Sequence, residues 1–215
     1  MEKLKKEHLQ FIDNYLDNSD IVYADIRMEM TDHVASEIEN RMDADNESSF
    51  YDVFKVYMVE NKADLLSDNK KYINSVVSRN SKLIFKELVC FKTLIVFLLL
   101  VFLLNNYLVG SIIISPKYLF AVPVFSVSII GVVYFIGSKA FNLSRFSGVE
   151  RLGFMYYILF QFLHMISIIT QSRIESLNSL FVTALFALCI TLIYVFVKVT
   201  IKVMSMYYNI NLLHN

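Results

Sequence analysis

The stretch TLIVFLLLVFLL, residues 93–104, runs through one turn of helix after another without a charge or a polar–apolar alternation. A barrel strand would alternate over about 10 residues, so this segment reads as helix. The charge-free run around it extends from Thr93 to Pro116, and three more follow, from Tyr118 to Ser138, Leu152 to Ser172 and Ser176 to Val197. Each passes the roughly 20 apolar residues that cross a hydrocarbon core as helix. Lipid offers backbone N–H and C=O groups no partner, and a helix satisfies them within one segment. The expectation is an all-α chain with four transmembrane helices over about 93–114, 118–138, 152–172 and 177–197. Ser115, Pro116 and Lys117 are expected to divide the first two as a tight hairpin, because Pro116 removes a helix donor and Lys117 resists burial.

Outward from the apolar runs the charge changes sign. Residues 1–78 hold 17 Asp or Glu against 9 Lys or Arg, a net of −8, and residues 79–215 hold 3 against 11, a net of +8. The overall zero is a cancellation between an acidic helical domain (1–78) and a basic remainder. That remainder comprises a juxtamembrane helix (79–92), the spans (93–197) and a tail (198–215). An acidic domain is repelled by phosphate backbones, so direct nucleic-acid binding is not expected. Lys82, Lys86 and Lys92 precede the first span, Lys139, Arg145 and Arg151 fill the second connection, and Lys198 and Lys202 follow the fourth. Only Lys117 and Arg173 lie on the other side, so both termini are expected in the cytoplasm. The same cations suit contacts with anionic membrane lipids. The start, with Lys3, Lys5 and Lys6 leading into EHLQFIDNYLD, has no apolar core of a secretory signal. Cys90 and Cys189 lie at or within spans and are expected to be free thiols.

Within the acidic domain, apolar side chains recur at helical spacing. Leu4, His8, Phe11, Ile12, Tyr15 and Leu16 line a first helix that ends at Asn18 and Ser19, and Ile26, Met30, Val34, Ile38 and Met42 line a second from about Asp20 to Arg41. The segment DADNESS is a polar loop. Ser49 reads as an N-cap, with Asp52 three residues on, ahead of Phe50, Val53, Phe54, Tyr57 and Met58. A further helical tract runs from about Lys62 toward the first span. The expected domain is a bundle of three or four helices.

Two groups of residues have chemical character. On the second helix Glu29, His33 and Glu37 fall at steps of four, with Asp32 beside them, so carboxylates and an imidazole share one edge. Such an edge can hold a divalent metal or a protonated His33 as a pH-sensitive docking contact. The simpler reading, which the spacing favours, is a solvated flank beside the apolar stripe. In the apolar half, Asn105, Asn106, Gln161 and His164 form a candidate intramembrane polar cluster, His164 being the one ionisable side chain well inside a span. An interhelical hydrogen bond among them is the preferred reading, and a proton-linked pathway through Gln161 and His164 is the other. Tyr107, Tyr118, Tyr134, Tyr156 and Tyr157 are expected as interfacial anchors. The segment with Ile201, Met204, Tyr207 and Tyr208 is expected to continue as helix out of the bilayer or along its surface.

No Walker phosphate loop, Gly-x-Ser-x-Gly elbow, His-Glu-x-x-His or kinase signature occurs, and 5 Gly leave little material for a phosphate cradle. An enzyme is therefore not expected, and no catalytic residue, cofactor or metal is assigned.

The pattern of a short first helix, an acidic turn and then Asp25, Ile26, Glu29, Met30, Asp32, His33 and Val34 resembles the small cytosolic helical domain called HAAS, related to the permease-prefix type, over about residues 4–66. The chain departs from that pattern at Val59, Glu60 and Asn61, where a Leu-Gly turn commonly closes the domain. The resemblance implies a membrane-bound protein with a docking or regulatory domain, associated with a PadR-type regulator or a permease-like partner. The expectation is thus a multi-pass regulatory or adaptor protein of the bacterial cytoplasmic membrane. The alternative is a small transporter or channel subunit, as a homo-oligomer, with its polar site at Gln161 and His164.

Overall fold

A computed structural model describes residues 4–44, 49–107, 118–173 and 177–213. All of the regular structure among them is helical. In chain order the helices are α1 (Lys6–Asp17), α2 (Ala24–Ala44), α3 (Phe50–Leu88), α4 (Phe91–Tyr107), α5 (Ala121–Ala140), α6 (Ser147–Arg173) and α7 (Ser179–Leu213). The hairpin expected at Ser115, Pro116 and Lys117 lies outside the described residues, as do most of the DADNESS loop and the side chain of Tyr107.

The chain forms two compact units, one of residues 1–77 with Arg145–Ser147, the other of the remaining residues. In the first unit α1 packs on α2. The predicted stripe of α2 is the core: Ile26, Met30, Val34 and Ile38 are at most 3% exposed, against Ile12 and Leu16 of α1 and Phe50, Phe54 and Tyr57 of α3. The turn after α1 is closed by Ile21 N–H donating to Leu16 C=O (3.2 Å) and Asp20 N–H to Asp17 C=O (3.3 Å), with Asp20 at φ 65°. This is the arrangement in which a left-handed residue ends a helix, and it delays α2 to Ala24, four residues past the expected start. Ser49 caps α3: Asp52 N–H donates to its Oγ (3.4 Å), which in turn donates to the Asp52 carboxylate (2.6 Å).

The fourth tract expected in the acidic domain is not a separate helix. With no Pro or Gly between Phe50 and Leu88, α3 continues for 39 residues and takes in much of the expected juxtamembrane helix as well. It stops at Val89–Cys90, where the chain bends by 55° into α4. Thr93 Oγ donates to the Glu87 carbonyl (2.7 Å), one of the acceptors the break releases.

In the second unit α7 is the helix the others lean on: α4 packs along it, α5 meets it, and Tyr156 of α6 reaches Thr200 and Phe196 on it. Its threonines sit in the helix packing because their hydroxyls are satisfied locally, Thr191 donating to Ala187 C=O (2.8 Å) and Thr200 to Phe196 C=O (2.7 Å). Three helices, Ala121–Ala140, Ser147–Arg173 and Ser179–Leu212, are long and apolar enough to cross a membrane, or up to four if the bent α3–α4 pair makes one span. The remainder of the first expected span, beyond Tyr107, lies outside the described residues.

Candidate functional site

An open groove of about 590 Å³ lies between α1 and the start of α3 in the first unit. Phe11 and Tyr15 come from α1, while Tyr51, Phe54, Lys55, Met58, Val59 and Lys62 come from α3. The aromatic rings stack against one another edge to face, Phe11 with Tyr51 at 5.3 Å and with Phe54 at 5.2 Å, and Tyr15 with Phe54 at 5.1 Å. His8 stacks on Phe50 at 4.1 Å. Phe54 and Met58 turn inward to the core, but Tyr51 and Val59 stand 58% and 81% exposed, so the groove is apolar on its rim as well as its floor. Lys62 lies 5.3 Å over the Tyr15 ring, and neither Lys55 nor Lys62 meets a carboxylate among the described residues. An aromatic floor with two such ammonium groups suits an apolar side chain presented beside a negative charge.

The sequence did not single out this groove. Phe11 and Tyr15 read as core residues by spacing, and only the packing of α1 against α3 turns their outer edges into the wall of a groove.

The edge on α2 is differently placed. Glu29, Asp32 and His33 are exposed and Glu37 is half-buried. Ser36 Oγ donates to the Asp32 backbone carbonyl (2.8 Å). Glu37 lies close enough to Tyr57 to act on it: burial, with the Glu37 carboxylate adding to it, holds the Tyr57 phenol above its ordinary pKa, against the opposing pull of Arg41. Arg41 lies 5.1 Å over the Tyr57 ring and pairs with Glu60 (2.8 Å). Among the described residues no three His, Cys, Asp or Glu side chains come together to hold a metal ion.

A polar contact in the same unit joins residues 122 apart. Asp25 accepts from the backbone N–H (2.9 Å) and the Oγ (2.6 Å) of Ser147, tying Arg145–Ser147 to α2. Arg27 makes a second fastening, its guanidinium bonding Asp13 (3.2 Å), Asp17 and the carbonyls of Ile21 and Val22 (3.1 Å each), which locks the α1–α2 turn. A guanidinium suits such a task because its several donors are held in a rigid plane and reach different acceptors at once.

In the second unit the expected polar cluster does not form. The Gln161 amide donates to Tyr157 Oη (2.8 Å), the Asn106 amide donates to Phe102 C=O (2.8 Å), and the His164 ring stacks on Phe160. The reason is the rotation of α6: its inward face is Leu152, Tyr156, Leu159 and Leu163, which puts Gln161 and His164 on the opposite side, exposed. Two of the five expected interfacial tyrosines are likewise internal. Tyr134 donates to Val149 C=O, and Tyr156 shares a hydrogen bond with Thr200 (2.7 Å). Tyr118 and Tyr157 are exposed.

Polar contacts that spacing did not reveal cluster elsewhere in this unit. Arg79 donates to Tyr207 Oη and lies 5.9 Å over its ring, Asn80 donates to Gly148 C=O (2.9 Å), and Lys198 pairs with Glu87 (2.6 Å). The hydrogen bond from Lys198 holds the Glu87 carboxyl below its ordinary pKa of 4.5. These partners lie 68 to 128 residues apart in the chain, so no local pattern announces them. Neither a family model, nor a curated protein, nor a solved structure matches this chain.

Proposed function

We propose that this chain is a membrane-anchored docking protein, in which the acidic helical unit takes a protein partner into its aromatic groove and the apolar helices hold it at a bilayer. The observation that carries the proposal is the groove itself: exposed Tyr51 and Val59 with Lys55 and Lys62, on a unit whose sequence is otherwise strongly acidic. Water-exposed apolar surface of this kind is costly to leave bare and commonly marks an interaction site. The three or four helices that are apolar enough to span a membrane supply the anchor. The resemblance of residues 4–66 to the HAAS type belongs to this proposal, as do a PadR-type or permease-like partner, the bacterial cytoplasmic membrane and the cytoplasmic placement of both termini. The reading is non-enzymatic.

A photo-activated cross-linking amino acid at Val59 of the full chain, in its native membrane, tests it. The expected product is one discrete protein adduct that Lys55→Glu and Tyr51→Glu each abolish. Adducts to lipid alone, or a spread of proteins indifferent to both substitutions, would sink the docking reading.

A further inference from the structure

Between α5 and α6 lies an open crevice of about 400 Å³. Val127, Gly131 and Phe135 line it from α5, and Gly153, Tyr157 and Phe160 from α6. The three on α5 fall at steps of four, so they make one wall from one helix face. Glycine in a membrane helix commonly admits a second helix to close range. Here the buried rings of Tyr134 and Tyr156 meet between the two helices, with centroids 5.3 Å apart, and a Cβ built on Gly131 meets nothing within 4 Å. The hydroxyls on the wall are engaged inside the chain. Ser128 Oγ donates to Val124 C=O (2.8 Å), Tyr134 Oη donates to Val149 C=O, Tyr156 shares its hydrogen bond with Thr200 (2.7 Å), and Tyr157 Oη accepts from Gln161 (2.8 Å). The crevice therefore suits a hydrocarbon and not a polar solute, which would lose its water there for little return.

A positive charge stands at one end of this wall. Lys139 lies one helical turn beyond Phe135 on the same face of α5, and its ammonium sits 4.5 Å over the Phe135 ring. It is exposed and makes no ion pair or side-chain hydrogen bond among the described residues. From Val127 to Phe135 the wall runs about 12 Å along the helix axis, and Lys139 is about 6 Å further on. One leaflet contributes about 15 Å of hydrocarbon, so the apolar wall fits within a leaflet and the lysine reaches its headgroup level. Resting on the reading that α5 and α6 cross a bilayer, we infer that the crevice is a site for one anionic phospholipid, with an acyl chain lying along Gly131 and the negatively charged headgroup at Lys139.

Charge favours a lipid over a helix from a second copy. Residues 79–215 hold 3 acidic side chains. Glu87 pairs with Lys198, Glu150 is engaged within the chain, and Glu175 comes after Arg173, where α6 ends, whereas Lys139 lies toward the connection at which α6 begins. The membrane half of another copy thus has no carboxylate to spare for Lys139, while an anionic leaflet supplies negative charge at that level. The gap beside Gly131 is also open sideways, past the exposed Phe135 and Tyr157, so a lipid enters it from the bilayer without any helix moving.

The test uses the purified full chain in phosphatidylcholine vesicles that carry a trace of phosphatidylglycerol with a photoreactive diazirine on one acyl chain, and in parallel the matching phosphatidylcholine probe. Adducts mapped by peptide mass spectrometry are expected at crevice residues such as Gly131 and Phe160, about fivefold more from the phosphatidylglycerol probe than from the phosphatidylcholine probe. At Leu98 and Phe102 on the exposed face of α4 the two probes should label alike. Lys139→Gln should bring the two probes to equal labelling in the crevice, and Lys139→Arg should keep the preference. Gly131→Leu, whose Cβ enters open space, should remove the crevice adducts while helical ellipticity and thermal unfolding stay as in the parent. The Lys139 comparison decides the matter whether or not Gly131→Leu folds. Equal crevice labelling by both probes in the parent, a preference unchanged by Lys139→Gln, or crevice adducts that persist in a folded Gly131→Leu would each overturn the proposal, as would cross-links from the crevice to a second copy or another protein in place of lipid. Release of the chain by alkaline carbonate would instead overturn the membrane reading on which it rests, which separates the two failures.

Discussion

Asp20 occupies a backbone position that suits glycine. At φ 65° an L side chain crowds the following carbonyl, and Asp is tolerated there because its short carboxylate can bond locally. Asp20→Gly is therefore expected to stabilise the first unit by about 0.5–1 kcal/mol, the relieved strain being offset in part by the greater freedom of Gly in the unfolded chain. Chemical denaturation followed by helical ellipticity reads the change, and a loss of stability would show that the aspartate side chain holds the turn. Gly148 has the opposite requirement. A Cβ there would overlap Tyr207 Oη and its ring, and Tyr207 is fully buried. Gly148→Ala should cost about 1–3 kcal/mol, with Tyr207→Leu on the same background recovering part of it, as measured by thermal unfolding in detergent. Neither site was legible in the sequence: nothing near Asp20 says that three hydrogen-bonded residues precede α2, and Gly148 meets its neighbour 59 positions away. What periodicity did give was the core of α2, since Ile26, Met30, Val34 and Ile38 need only one helix and a side to bury.

Among the helices, α3 shows both the reach and the limit of reading by pattern. Its start was legible because Ser49 and Asp52 sit in the local register a cap demands. Its length was not, because the tract from about Lys62 reads as a further helix of its own, yet without Pro or Gly the backbone ladder has no reason to stop after Met58. The end of α3 is held by the pair of Glu87 with Lys198 of α7. Because the folded carboxyl sits below its ordinary value, the pair's contribution is full above the unfolded pKa near 4.5 and is lost as pH falls through the lowered folded value. Glu87→Gln should thus be less stable than the parent at neutral pH, with the gap closing in acid as the pH falls below 4.5. Lys198→Met should remove the same acid-dependent component, and the two substitutions together should cost less than the sum of each alone. Unfolding by detergent at a series of pH values measures it, and a constant gap between parent and Glu87→Gln across the acid range would count against the pair.

For the molecule as a whole, helix length sharpens the charge argument. A helix of 35 residues such as α7 is about 52 Å long, against a hydrocarbon core of about 30 Å. Its first 19 residues, Ser179 to Val197, are free of charge, and Lys198 and Lys202 follow, so in the proposed topology the surplus length would emerge on the side where these two cations lie. Lys139 at the end of α5 and Arg151 in the second turn of α6 belong to that same side by chain order, whereas Arg173 closes the other end of α6. The proposed topology therefore predicts that a fluorescent protein fused after residue 78 or residue 213 folds in the cytoplasm, and that alkaline phosphatase inserted after residue 175 is active outside it. The charge asymmetry makes a second expectation: Lys198→Glu with Lys202→Glu, by erasing the cations that hold the end of α7 inside, should expose a fraction of C-terminal fusions to the outside while leaving the fusion at residue 78 unchanged. Phosphatase activity at residue 78 in the parent chain would put the acidic unit outside the cell, and the groove with Lys55 and Lys62 would then face a different set of partners from the one proposed.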